Sequence, residues 1–407
     1  MSEQLVFDSR YSWTRLAVTL AIATIGNVGM WSVIVIMPAV QAEFAVSRGG
    51  ASLPYALTML GFALGNLVLG RAVDRFGITL TLVGASLLTG LGYLAAAASP
   101  SVLILSLVHV AIGLGSAASF GPLLADISHW FHRRRGIAVA VAASGNYLSG
   151  AIWPIVLAGV LAQHGWRAVC VVLAVLVVVL VIPLAMLLRR RVPEFSMSAA
   201  SEFSAINRAA CGFSPRLLAW ILALAGVACC VAMSMPQVHI VALCVDLGYG
   251  PAVGAEMLSL MLLGGVVSRL VSGLLADRLG GVRTVLIGSV LQMLALFLYL
   301  PADGLTSLYV VSLVFGLAQG GIVPAYALIV REYMPAREAG RWVGFVIMAT
   351  ILGMALGGWM SGWIHDVTGS YRLAFINGIV WNGLNIAIML LILSRTIRPR
   401  TDRAVAA

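Results

Sequence analysis

The chain has no lysine. All 25 of its basic residues are arginine, against 15 acidic ones, and charged residues of every kind make up only 10% of the 407. Such a scarcity of charge, beside 61% hydrophobic residues, excludes a soluble globular domain. The few cysteines (Cys170, Cys211, Cys229, Cys230 and Cys244) have no metal-ligand spacing and read as small packing residues, so neither a metal nor a cofactor is expected. No nucleophile–base pair stands out within the apolar runs, which speaks against an enzyme. A net charge of +10 could suggest nucleic acid, but the arginines lie between apolar runs, where membrane topology accounts for them better.

What is present is length of apolar sequence. Runs recur at about 15–38, 52–73, 78–98, 101–125, 136–162, 167–188, 216–243, 253–276, 282–300, 305–330, 340–363 and 372–394. Each approaches or exceeds the roughly 20 residues that span a bilayer as helix, so the expectation is an all-α integral membrane protein with twelve spans. The first run is too long for a signal-peptide core and should remain as a span. One longer connection, 189–215, rich in Ser and Ala, divides the chain into an N-terminal six-helix bundle (1–188) and a C-terminal one (216–407). With the N-terminus in the cytoplasm, 21 arginines fall on the inside and Arg48, Arg167 and Arg372 on the outside. That asymmetry predicts an inner-membrane protein with both termini cytoplasmic.

The halves repeat. Gly70-Arg71-Ala72-Val73-Asp74-Arg75-Phe76-Gly77 ends the second run, and Gly273 to Gly280 ends the eighth with the same Gly-x-x-x-Asp-Arg-x-Gly spacing, including Asp277 and Arg278. The offset is 277 − 74 = 203. Trp166-Arg167 before the sixth run is echoed by Tyr371-Arg372 before the twelfth, at 372 − 167 = 205. Two six-helix repeats running in the same direction place a transporter's substrate site near the midplane, between them.

One charge lies inside a span. Arg269 is three residues from the middle of its run, near Val266, roughly 4.5 Å along the axis at ~1.5 Å per residue. A guanidinium at that depth costs on the order of 2.5–3.5 kcal/mol by insertion scales, so it should face the interior. It is either a substrate ligand or a structural arginine held by backbone carbonyls. Further polar candidates within spans are Asn27 near Trp31, Asn146 and Tyr147, His239 after Met235-Pro236, Gln319, and Tyr326. Each stands against a reading as interhelical packing. Pro236 is expected to break its helix, His109 to be structural, and Asp126 to contact the Arg133–Arg135 cluster.

The Gly70–Gly77 stretch and its copy resemble the signature loops of the major facilitator superfamily, apart from Ile78 and Thr79 where basic residues are common. Within it the chain resembles the bacterial monocarboxylate porter and oxalate/formate antiporter branch. The residues that carry this are Trp130-Phe131-His132-Arg133-Arg134-Arg135-Gly136, His239 with Asp246-Leu247-Gly248, Ser268-Arg269 with Gly273, and Asp366-Val367-Thr368-Gly369-Ser370-Tyr371. The resemblance implies that Arg269 binds the substrate carboxylate, with His239, Tyr326, Asn27, Tyr147 and Gln319 around it. It also implies that Gly70, Asp74, Arg75, Gly77, Gly273, Asp277 and Arg278 control access. Two departures stand out. Animal relatives carry an aspartate one turn before the arginine, where this chain has Gly265. Oxalate exchangers have a lysine in the eleventh run, and here there is none.

The expected function is alternating-access transport of a small organic monoanion by a monomer in the lipid bilayer. A co-transported proton is expected to titrate at His239, and no nucleic acid is involved. The alternatives are an exporter of amphipathic drugs, which would want an acidic cavity, and an exchanger of dicarboxylates. A membrane sensor would need an added soluble domain or a long tail.

Overall fold

The computed structural model describes residues 8–131, 134–190, 213–334 and 336–396, with the side chains of Asp74, Arg135, Asp277 and 336–340 outside that description. No strand occurs among the described residues. Among the described residues eleven helices are long and apolar enough to cross a membrane, and one of them, Arg135–Met186, has two arms. In order they are α1 (Arg10–Phe44), α2 (Arg48–Val73), α3 (Arg75–Ala97), α4 (Val102–Ser128), α5 and α6 (the two arms of Arg135–Met186), α7 (Pro215–Asp246), α8 (Gly250–Leu279), α9 (Gly281–Tyr299), α10 (Leu305–Tyr333), α11 (Ala336–Thr368) and α12 (Arg372–Thr396). The 52-residue stretch Arg135–Met186 would be roughly 78 Å long as one rod, over twice a bilayer core. It is interrupted at Gly165, whose φ of 78° is open to glycine and costly for other residues. The expected linker falls largely at 191–212, outside the described residues.

The repeat seen in the motifs extends to backbone geometry. Gly77 (φ 80°, ψ 165°), two residues into α3, carries the kink that follows α2, and Gly280 (φ 81°, ψ 167°) turns the chain from α8 into α9, at 280 − 77 = 203. α4 breaks at Ala117–Ser119 and α10 at Gly320-Gly321, again 203 apart at their first residues (320 − 117). Close packing repeats as well. A Cβ on Gly113 would stand 2.0 Å from the Thr58 carbonyl oxygen, and one on Gly316 would stand 1.9 Å from that of Met261. Both members of the second pair are the first pair plus 203 (316 − 113 and 261 − 58). The α2–α4 and α8–α10 contacts are therefore one design used twice, with glycine letting backbones touch where lipid offers no hydrophobic drive.

The face at which the chain begins is called here the near face, and the opposite one the far face. Toward the far face the two inner helices are enclosed on all sides: α1 is buried continuously from Val28 to Met37, and α7 from Ala228 to Ala242. Met30, Trp31, Tyr55, Met59 and Tyr147 of the first half share one core with Met233, Met257, Met261 and Leu262 of the second. Among the described residues two sets of polar contacts join the halves. One lies at the far face, where Arg48 pairs with Asp246 and Asp366 binds the start of α2. The other is centred on Arg269.

One expectation fails here. α7 runs through Pro236 as continuous helix, so the proline does not break it. The discontinuities lie at Asn27, where α1 is interrupted, and in α4 and α10. For Asp126, the expected partners Arg133 and the Arg135 side chain lie outside the described residues. Both its oxygens accept from Arg15, at 2.9 Å (Nε) and 2.8 Å (Nη2), while Arg15 also donates to the Leu188 carbonyl at 3.2 Å and lies 4.5 Å over Trp130. A planar fork facing a carboxylate makes that pair bidentate, and it ties α1 and α4 to the end of α6.

Candidate functional site

Arg269 sits on α8 with 5% of its surface exposed. Its Nε donates to the Gly320 carbonyl at 3.2 Å and its Nη1 to the Ala143 carbonyl at 2.6 Å. The Gly320 carbonyl is available because the residue four further on, Pro324, has no N–H to donate. The α10 break thus supplies an acceptor from the second half, and α5 supplies one from the first. The guanidinium carbon lies 4.0 Å over the ring of Tyr147, also on α5. Among the described residues no carboxylate comes within ion-pair distance of Arg269. Among the described residues the site is a buried cation with partial charges around it and no counter-ion.

Gly265, one turn earlier on α8, shapes this arrangement. A Cβ there would meet Tyr147 Cδ2 and Cε2 at 3.1 Å, so the missing side chain is what lets the ring lie against α8 and cover the guanidinium. Tyr147 continues into Trp31 (ring centroids 6.5 Å apart), whose Nε1 donates to the Asn146 carbonyl at 2.9 Å.

The other sequence candidates are held in hydrogen bonds of their own. Asn27 Nδ2 donates to the Ala23 and Ser119 carbonyls at 2.7 and 3.0 Å, bracing the α1 interruption against α4. Tyr326 donates to Asn385 Oδ1 at 2.6 Å, and Asn385 to Ser289 Oγ at 2.6 Å, a network among α10, α12 and α9. Gln319 Oε1 accepts from Gln237 Nε2 at 2.6 Å, leaving Gln319 Nε2 and Gln237 Oε1 without protein partners. His239 Nε2 lies 2.7 Å from the Gly358 carbonyl and Nδ1 3.0 Å from the Tyr371 hydroxyl, toward the far face. Of the proposed ligands, Tyr147 is the one in direct contact with Arg269.

In the signature loops, a Cβ on Gly70 or Gly273 would meet nothing within 4 Å, and Arg75 and Arg278 are exposed. Gly77 carries the turn. The side chains of Asp74 and Asp277 lie outside the described residues. Sequence reasoning missed the two carbonyl acceptors. Gly320 had a readable signal in Pro324; Ala143 had none.

This architecture can be compared with known proteins. The model of the Major Facilitator Superfamily matches twice, at residues 19–242 and 221–406, once on each half. The chain belongs to that superfamily. It is thus a multi-pass membrane transporter, as the signature loops implied. Among curated superfamily relatives, monocarboxylate transporter 13 of Bos taurus is 28% identical over 331 residues, covering 80% of this chain and 75% of that protein. Human monocarboxylate transporter 11 is 26% identical over 390 residues, covering 91% and 80%. The MFS transporter asaE of Aspergillus flavus is 24% identical over 328 residues, covering 79% and 72%. Among solved structures, a bacterial homologue of the human lysosomal transporter Spinster, in an inward-facing and occupied conformation, superposes with a TM-score of 0.67 at 14% identity, covering 96% of each chain. At that identity the likeness is one of fold.

Proposed function

We propose that the protein moves a small organic monoanion, a monocarboxylate, by alternating access, with Arg269 as the group that binds the carboxylate. The observation that carries this is a buried guanidinium without a carboxylate partner among the described residues. A buried charge of this kind is costly until paired, and a carboxylate is the planar, bidentate partner that a guanidinium fits best. The Ala143 and Gly320 carbonyls hold the side chain in its place, and Tyr147 covers it until the anion arrives. Monocarboxylate transporters among the relatives agree in substrate class.

The arginine asymmetry, 21 against 3, favours a near face on the cytoplasmic side of an inner membrane. In this reading the far-face contacts of Arg48, Asp246 and Asp366 would belong to an inward-facing member of the cycle. Gly70 and Gly273, with no neighbours here, would meet the opposing half when the near face closes, and Asp74 and Asp277 would hold that state.

The test is a thermal-shift panel of small carboxylates on purified protein, since a ligand of the folded state raises the melting temperature by mass action. Lactate- or pyruvate-sized monoanions should raise Tm in the wild type and fail to do so in Arg269→Ala. An equal shift in both proteins would show that the carboxylate binds elsewhere.

A further inference from the structure

The far-face contact between the halves is built from groups that titrate. Arg48, at the start of α2, donates from Nη2 to Asp246 Oδ1 at 2.6 Å on the end of α7. The other Asp246 oxygen faces His365 Nε2 of α11 at 3.5 Å. Asp366 accepts from the backbone N–H groups of Arg48 and Gly49, both at 2.7 Å, so a carboxylate of the second half caps a helix of the first. The His365 ring packs 4.4 Å from that of Tyr371, which precedes α12. Tyr371 in turn meets His239 of α7 at 3.0 Å. These groups, Arg48, Asp246, Asp366, His365, Tyr371 and His239, are the charged and titratable ones gathered there.

The two histidines are not equivalent. Gly358 O can only accept, so His239 Nε2 carries the proton and Nδ1 takes the Tyr371 O–H. Both nitrogens of His239 are thus committed in the neutral ring. His365 keeps 21% of its side chain exposed and has a carboxylate at ion-pair distance.

The charges also divide unequally. Arg48 belongs to the first half, and both aspartates and both histidines to the second. When the halves part at the far face, Arg48 leaves with α2. The second half then presents two carboxylates to His365 with no arginine among them. With Arg48 gone, the two carboxylates face the imidazole without a fixed cation to pair with.

Resting on the transport reading above, we propose that His365, with Asp246, is the proton-binding site of the cycle. It is filled from the far side when the gate opens and weakened when Arg48 returns. Because linkage is reciprocal, a proton that binds the open gate more tightly than the closed one must favour opening. One proton coupled to one opening changes the equilibrium by up to about tenfold per pH unit. Low pH on the far side therefore recruits the outward-open state, where Arg269 can meet its anion.

The test reads the gate without substrate. Spin labels at Gln163 and Thr306, both exposed and at the far-face ends of α5 and α10, report separation of the halves in nanodiscs. On acidification from about pH 7.5 to about pH 5.5, the range in which histidine titrates, the long-distance population should grow in the wild type. His365→Gln should lose that response, and Asp246→Asn should weaken it. Arg48→Gln should be largely open at both values. His365→Gln leaves Arg48 and both carboxylates in place and is the deciding variant; His239→Gln should respond as the wild type does. A wild type blind to pH, or one that closes on acidification, overturns the proposal, as does an undiminished response in His365→Gln. Since no carboxylate is present, failure of the substrate reading at Arg269 would leave this result intact, and the converse holds.

Discussion

The guanidinium of Arg269 stacks 4.0 Å over the ring of Tyr147, and the two residues come from different halves of the molecule. A desolvated cation–π contact of this kind is worth about 2 kcal/mol or more, less than a paired carboxylate would supply. The stack therefore covers the cation in the absence of an anion and can yield to one. Its existence depends on α5 and α8 lying side by side, so the binding group is assembled by the interface that transport rearranges.

Gly265 is what admits the ring, and a carboxylate placed there should change the coupling. Gly265→Asp puts an anion one turn from Arg269, within reach of an i,i+4 pair, and displaces Tyr147. Monocarboxylate binding at neutral pH should fall at least about tenfold, equivalent to ~1.4 kcal/mol. It should recover as the pH drops and the introduced carboxylate takes a proton. Isothermal titration at several pH values checks this; affinity unchanged at neutral pH would mean that Gly265 does not face the bound anion.

The paired glycine contacts should be equally intolerant of a methyl group. Gly113→Ala and Gly316→Ala each drive a Cβ onto a carbonyl oxygen, at 2.0 and 1.9 Å before relaxation. Each should cost about 1–3 kcal/mol, the usual range for overpacking, seen as a lowered Tm in detergent. Gly70→Ala and Gly273→Ala, with nothing within 4 Å in this state, should leave Tm close to that of the wild type.

The signature loops should act on population rather than on affinity. Asp74→Asn should shift the balance between access states while the binding site survives. Cysteine accessibility from each side, measured in parallel with carboxylate binding, checks it. A loss of binding without a change in accessibility would place Asp74 in the site instead.

Much of this was legible in the sequence because lipid imposes simple rules. Span length, the Gly70–Gly77 copy at Gly273–Gly280 and the arginine asymmetry follow from rise per residue, tight turns and the cost of moving charge. Pro236 misled because a proline removes one hydrogen bond without obliging the helix to bend, while Asn27 interrupts its helix without so plain a flag. Asn27, Gln319, Tyr326 and His239 could be recognised as buried polar groups, but their partners (Ser119, Gln237, Asn385, Tyr371) come from helices distant in sequence. Side-chain type alone does not say which of them is satisfied by protein. Arg269 was legible for the opposite reason: a charge at that depth is rare enough to single itself out.

The account stands on Arg269 as the carboxylate partner, and among the described residues the site offers that one permanent cation. A dicarboxylate would leave its second charge unpaired at a cost of several kcal/mol. Counterflow in proteoliposomes at neutral pH, with labelled monocarboxylate inside and unlabelled competitors outside, tests this most directly. Lactate- or pyruvate-sized monoanions should drive exchange in the wild type, and oxalate or succinate should compete at least about tenfold less well. Arg269→Ala should abolish exchange, and Arg269→Lys should lose most of it, because the charge remains while the fork is gone. Near wild-type counterflow in Arg269→Ala would contradict the account and make the arginine a structural bridge between Ala143 and Gly320.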